Sequence, residues 1–207
     1  MSDRLRTERL PMLDVRAEVG AVDAESRTVE LIFSTGAPVL RFDWWTGKRY
    51  IEKLSMKPEH IRLDRLNAGA PLLNTHQSYR LEDQIGVVEE GSATVSGGKA
   101  TARVRFSGRA DVAPILQDVK DKVIRNVSVG YRVHKFEEVT GKDGGASTRT
   151  AVDWEPYEIS MVPMPADAGA QTRGANDPQW HPCVIVRAQV ANDDADRLRR
   201  LRLARVR

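Results

Sequence analysis

A chain of 207 residues, 41% hydrophobic and 29% charged, has room for one domain with a modest core and polar ends. No run approaches the roughly 20 apolar residues that span a bilayer, and the arginine-bearing start lacks a secretory signal, so neither a membrane partner nor export is expected. The single cysteine, Cys183, excludes an internal disulfide framework and a cysteine-built zinc site, and suits a reducing cytoplasm. Lys and Arg number 32 against 29 Asp and Glu, for a net charge of +3. Residues 187–207 alone hold seven arginines and three aspartates, or +4, leaving the remainder near −1. The basic character therefore belongs to an appendage and argues against nucleic acid as a partner of the folded body.

In chain order, residues 1–27 are polar, carry scattered arginines and show no sustained period, which reads as an N-terminal arm and lead-in. Thr28–Ser34 is the first clear strand, stopped by Gly36 and Pro38. Residues 42–48 read as a loop carrying the Trp44-Trp45 pair, and residues 58–66 as a short helix with Ile61, Leu63 and Leu66 as its apolar stripe. Residues 71–76 form a buried run opening into a polar loop, and Gln84–Val88 is strand-like. Residues 92–95 and 100–106 flank Gly97-Gly98, a hairpin signal. Val112, Ile115, Leu116, Val119 and Val123 recur at helical spacing, with Asp111 as the expected cap and Pro114 early in the helix. Residues 127–133 then alternate, apolar at odd positions and small or polar at even ones. A second strand region runs from about 148 to 161, closed by Pro163 and Pro165, and residues 174–207 read as a basic tail, poorly packed or helical.

Several chemistries are missing from this text. It holds no phosphate loop, no Gly-x-Gly-x-x-Gly and no His-Glu-x-x-His, and its four histidines, at 60, 76, 134 and 181, lack metal-ligand spacing. No cofactor and no metal are expected. Ser128, in Asn126-Val127-Ser128-Val129-Gly130, resembles half of a nucleophile elbow, but with the helix before the serine and the strand after it. The alternative is a small polar residue on the solvent side of a strand. A serine hydroxyl needs a base to take its proton, and imidazole serves near neutral pH. His134 shares a strand and a face with Ser128, yet six residues at about 3.3 Å each hold it about 20 Å away. His60 falls on a surface helix and His181 in the tail, leaving His76 at the mouth of a loop, where the alternative is a solvated side chain. Glu158 shares a strand face with Ser160 and Val162. If buried it needs a partner, and a histidine N–H would serve; the alternative is an exposed strand carboxylate. Ser160 is a rival nucleophile, ranked lower because bulky Ile159 and Met161 flank it with no glycine for close substrate approach.

Three segments in this order resemble the capsid-maturation (prohead) serine protease family of tailed bacteriophages. They are Leu72-Leu73-Asn74-Thr75-His76 with Ile85-Gly86 after it, Asn126-Val127-Ser128-Val129-Gly130-Tyr131, and Glu158-Ile159-Ser160-Met161-Val162-Pro163-Met164-Pro165-Ala166-Asp167. The histidine-to-serine spacing is 52 residues and the serine-to-glutamate spacing 30. The resemblance covers residues 28–173 and implies a serine protease domain there, mainly β, built like herpesvirus assemblin. That implies a small antiparallel β-barrel of about six to seven strands with a few flanking helices. It further implies Ser128 as nucleophile, His76 as general base and acid, and Glu158 as orienting acid, without a cofactor. Implied substrates are the scaffold segment of the major capsid protein and the chain itself, cut inside the immature capsid in the host cytoplasm, with homo-oligomerisation open. The basic end beyond residue 174 becomes a candidate processed segment or capsid-docking tail. A different class stays in view: a non-catalytic β-barrel protein that binds capsid or scaffold during assembly. A nucleic-acid-binding accessory would rest on the tail alone.

Overall fold

Alternating apolar and polar side chains favour strands, and the described residues are mostly strand. The computed structural model describes residues 6–10, 13–23, 25–141, 145–163 and 181–187. In order they form β1 (Arg6–Leu10), β2 (Leu13–Asp23), β3 (Thr28–Ser34), β4 (Val39–Asp43), β5 (Lys48–Leu54), α1 (Asp64–Asn67), β6 (Pro71–Asn74), β7 (Gln84–Val88), β8 (Thr94–Ser96), β9 (Lys99–Phe106), α2 (Ala113–Lys120), β10 (Asn126–Val139), β11 (Ser147–Val162) and β12 (His181–Arg187). The expected mainly β character holds.

Two long strands, β10 and β11, organise the sheet. They pair antiparallel along most of their length. β10 also pairs antiparallel with β2 near its start and parallel with β12 near its end. β11 pairs parallel with β5 over Ser147–Ala151 and parallel with β6 over Ile159–Met161. From β2 the antiparallel pairings run through β3, β9 and β7 to β6. Six or seven antiparallel strands understates this: among the described residues twelve strands form one mixed sheet with three parallel pairs. Leu13–Asp23, within the stretch read as an arm, lies between β10 and β3, and His181–Arg187, within the stretch read as a tail, lies between β10 and β1.

Local chemistry explains where sequence and structure part. The segment read as an aromatic loop is the tip of the β4–β5 hairpin, in which Asp43 Oδ1 accepts from the N–H groups of Trp45 (3.0 Å) and Thr46 (3.2 Å). Gly47 N–H donates to Asp43 O at 2.8 Å from a φ of +68°, a conformation glycine adopts without strain. The flanking strands escaped the alternation test because their inward faces carry charge. Buried Glu52 accepts from the Tyr131 hydroxyl and from Arg41 Nε (3.4 Å), and Arg149 joins Asp43 to Glu138 through two 3.0 Å contacts. Burial, and then the neighbouring Glu52 charge, holds the Tyr131 phenol well above its usual range. Burial works to raise the Asp43 carboxyl, but the Thr46 N–H and the Arg149 guanidinium outweigh it and hold the group low.

The helices are shorter than their stripes suggest. Residues 58–66 resolve into a turn at Pro58–His60 and the single turn of α1. In α2 the buried residues are Leu116 and Val119, preceded by buried Val112, which is the N-cap. Asp111 does not cap the helix; its carboxylate takes two 3.1 Å bonds from Arg109. Lys122, at φ +59°, ends the helix and leaves Val123 71% exposed. The Gly97-Gly98 hairpin forms as expected, both residues at positive φ.

The core gathers Trp154, Tyr131, Phe33, Phe106 and Phe136, all fully buried. Trp154 satisfies its indole N–H on Ser55 O at 3.0 Å. Cys183, on β12, is also fully buried, and burial pushes its thiol up to about 12. A maleimide at neutral pH is expected to react with the native protein on the order of 100-fold more slowly than with the urea-unfolded chain. Equal rates would show that β12 is detached in solution.

Candidate active site

The register of β10 against β11 fixes which side chains can meet. Ser128 stands opposite Ser160, and Gly130 opposite Glu158. Directly opposed residues in an antiparallel pair share a face, with Cβ atoms about 4.5–5.5 Å apart. Just past Gly130 the register slips, so Tyr131 faces Pro156 and Tyr157 is the extra residue of a bulge. The Arg65 and Arg132 guanidinium groups lie 5.6 Å and 5.8 Å from the Tyr157 ring centroid.

On the other side of β11, β6 delivers the histidine. Leu73 and Asn74 pair with Ser160 and Met161, and Thr75 N–H continues the ladder to Met161 O at 3.0 Å. The chain then turns sharply, with Thr75 at φ +51° and His76 at φ +60°. Left-handed backbone at two successive non-glycine residues costs roughly 1–2 kcal/mol each, so the surroundings must hold it. The turn carries the imidazole to the Glu158 carboxylate, His76 Nδ1 lying 2.7 Å from Glu158 Oε1. The other carboxylate oxygen, Oε2, accepts the Ser160 hydroxyl proton at 2.6 Å, and Ser160 Oγ in turn accepts the His76 backbone N–H at 3.1 Å.

Burial sharpens this constellation. Glu158 and Ser160 are 3% and 0% exposed, whereas the His76 side chain keeps 26% of its surface in solvent. An ionised carboxylate only accepts, so the proton between His76 and Glu158 sits on Nδ1, and in the neutral ring Nε2 is then the basic nitrogen. Ser128 is 1% exposed, and its Oγ has no hydrogen-bond partner among the described residues. An unpaired buried hydroxyl costs about 1–3 kcal/mol, so hydrogen bonding in this structure does not account for a serine at the position.

Of the three residues singled out from sequence, the structure joins His76 to Glu158 and sets Ser128 across from Ser160, without a bond from Ser128 Oγ to His76. The other histidines are engaged elsewhere: His60 Nδ1 lies 2.7 Å from Ser55 Oγ, and His134 Nε2 lies 3.2 Å from Glu155 Oε2. His181 belongs to a strand whose side chain at that position lies outside the described residues. The roles of two residues escaped sequence reasoning. Gly130 leaves the space that the Glu158 carboxylate fills, since a Cβ there would lie 2.3 Å from Oε1. Ser160, weighed from sequence only as a rival nucleophile, connects carboxylate and histidine backbone.

Comparison with known proteins adds a separate line. The family model described as "Caudovirus prohead serine protease" matches residues 70–179, just over half of the chain. A "Major capsid protein" of Halomonas phage phiHAP-1 is 35% identical over 123 residues, 59% of this chain and 20% of that protein. A "Capsid polyprotein" of Pseudomonas phage PAJU2 is 27% identical over 160 residues, 74% of this chain and 20% of that protein. The chain thus spans about a fifth of the length of these curated relatives. No solved structure matches it.

Proposed function

Because the chain belongs to the caudovirus prohead serine protease family, we propose that it is a serine endopeptidase of capsid maturation, with Ser128, His76 and Glu158 as its triad. The observation that carries this reading is the 2.7 Å His76–Glu158 bond, formed between segments 82 residues apart and set beside an unpaired serine hydroxyl. Ser128 Oγ attacks a peptide carbonyl as His76 Nε2 takes its proton, and Glu158 steadies the imidazolium that forms. The same imidazolium protonates the departing amine, and water, activated by His76, releases the acyl group. Its substrates are the scaffold segment of the major capsid protein and the chain itself, inside the immature capsid in the host cytoplasm. With Ser128 1% exposed, a peptide reaches it only after the side chains covering it move. The protease unit takes in residues 28–173 together with β2, which precedes them and pairs with β10 and β3. The pairing of β10 with both β2 and β11 supports a barrel of β2, β3, β9, β7, β6, β11 and β10.

A second reading has an observation of its own. The burial of Ser128, together with the capsid names of the relatives, suits a non-catalytic assembly protein that keeps the fold. A small fluorophosphonate separates the two. The protease should form a covalent adduct on the Ser128 peptide, faster as pH rises through the range in which imidazole loses its proton. Co-expressed capsid subunit should be cut by wild type and stay whole with Ser128→Ala, as read by mass spectrometry. Folded wild-type protein that remains unlabelled and leaves the subunit intact would favour the assembly role.

A further inference from the structure

We propose that Ser160 is a positioning residue that fixes the orientation of the His76 ring, an inference that rests on reading His76 as the base. Its hydroxyl has one proton, and that proton is committed to Glu158 Oε2 at 2.6 Å. Its oxygen is thereby turned to accept the His76 backbone N–H at 3.1 Å. Glu158 consequently grips His76 twice, at ring Nδ1 through Oε1 and at the backbone through Ser160.

The second grip matters because of the backbone it holds. Thr75 and His76 are both left-handed, at φ +51° and +60°, a pair of conformations that non-glycine residues leave readily when unsupported. Two backbone bonds frame the turn, Thr75 N–H to Met161 O at 3.0 Å and Gln77 N–H to Asn74 O at 3.1 Å, but neither touches His76 itself. The bond to Ser160 does, and it ties the backbone at His76 to the same carboxylate that orients its ring. Ser160 is fully buried, so water has no ready route to replace it. The same geometry removes Ser160 as a nucleophile: its proton goes to a carboxylate, and its contact with the histidine is to the backbone.

The test uses the full chain and Ser160→Ala, which removes the hydroxyl and adds no atom to a filled site; Ser160→Thr restores a hydroxyl. In wild type, NMR of the ring nitrogens should show His76 with its proton on Nδ1, and its amide should exchange slowly with solvent. In Ser160→Ala the amide should exchange at least ~10-fold faster and the ring should populate both tautomers, with Ser160→Thr moving both toward wild type. Fluorophosphonate labelling should stay on Ser128 and slow by roughly 10- to 100-fold. Unchanged tautomer and amide exchange in Ser160→Ala, or an adduct on Ser160, would overturn the assignment. If wild type fails to label at all, the peptidase reading fails while the tautomer and exchange measurements still decide the role of Ser160.

Discussion

Ser128→Ala is expected to abolish acylation and at the same time to raise thermal stability. Removing the nucleophile of a serine triad typically costs on the order of 10⁴- to 10⁶-fold in rate, leaving labelling below detection. The stability change has the opposite sign from that of most buried substitutions. Ser128 Oγ is buried without a partner, so the native state bears the desolvation of a hydroxyl and gains no bond in return. Alanine relieves about 1 kcal/mol of that penalty, which for a domain of this size raises the melting temperature by about 2–4 °C. Calorimetry of the two proteins reads the shift. A fall of several degrees would mean that the hydroxyl is bonded in solution, contrary to the geometry described above.

Gly130→Ala is expected to cripple the site while leaving a folded protein. The new Cβ would lie 2.3 Å from Glu158 Oε1 and 2.7 Å from both Cζ and Oη of Tyr157. A free carboxylate would swing aside at little cost. This one is held at both oxygens, Oε1 by His76 and Oε2 by Ser160, so yielding means letting go of the histidine. Overpacking of this kind costs about 1–3 kcal/mol in stability. The labelling rate should fall further than that suggests, by on the order of 10²-fold, because the orienting acid leaves the base. Urea titration beside labelling kinetics separates the two effects. Labelling at the wild-type rate would show that Glu158 does not need the position it occupies.

Much of this was legible in the chain and some was not, for identifiable reasons. Residues 127–133 alternate, and the strand they announce is there, but Ser128 and Gly130 are buried as fully as Val127 and Val129. Strands β2 and β11 flank both edges of β10 at that point, and the Glu158 carboxylate and Tyr157 ring fill the space beside Gly130, which a small residue allows. His76 and Glu158 were identifiable as chemistry-bearing residues, yet only the parallel register of β6 on β11 brings them within 2.7 Å. Parallel pairing joins segments far apart in sequence, and no local pattern encodes it. The β4–β5 hairpin stayed hidden because Glu52 sits where alternation calls for an apolar side chain, and Arg41 and Tyr131 compensate its charge from other strands. The Ser160 role was hidden for a similar reason. Its partner is a backbone N–H, which no side-chain pattern announces.

The placement of β12 has a bearing on the life of the molecule after a cut. This strand pairs with β1 on one edge and with the end of β10 on the other, and it buries Cys183 in the core. A break anywhere between Pro163 and His181 therefore severs the covalent thread without setting the strand loose. The nicked chain persists as two fragments zipped side by side, and scission and dissociation become separate events.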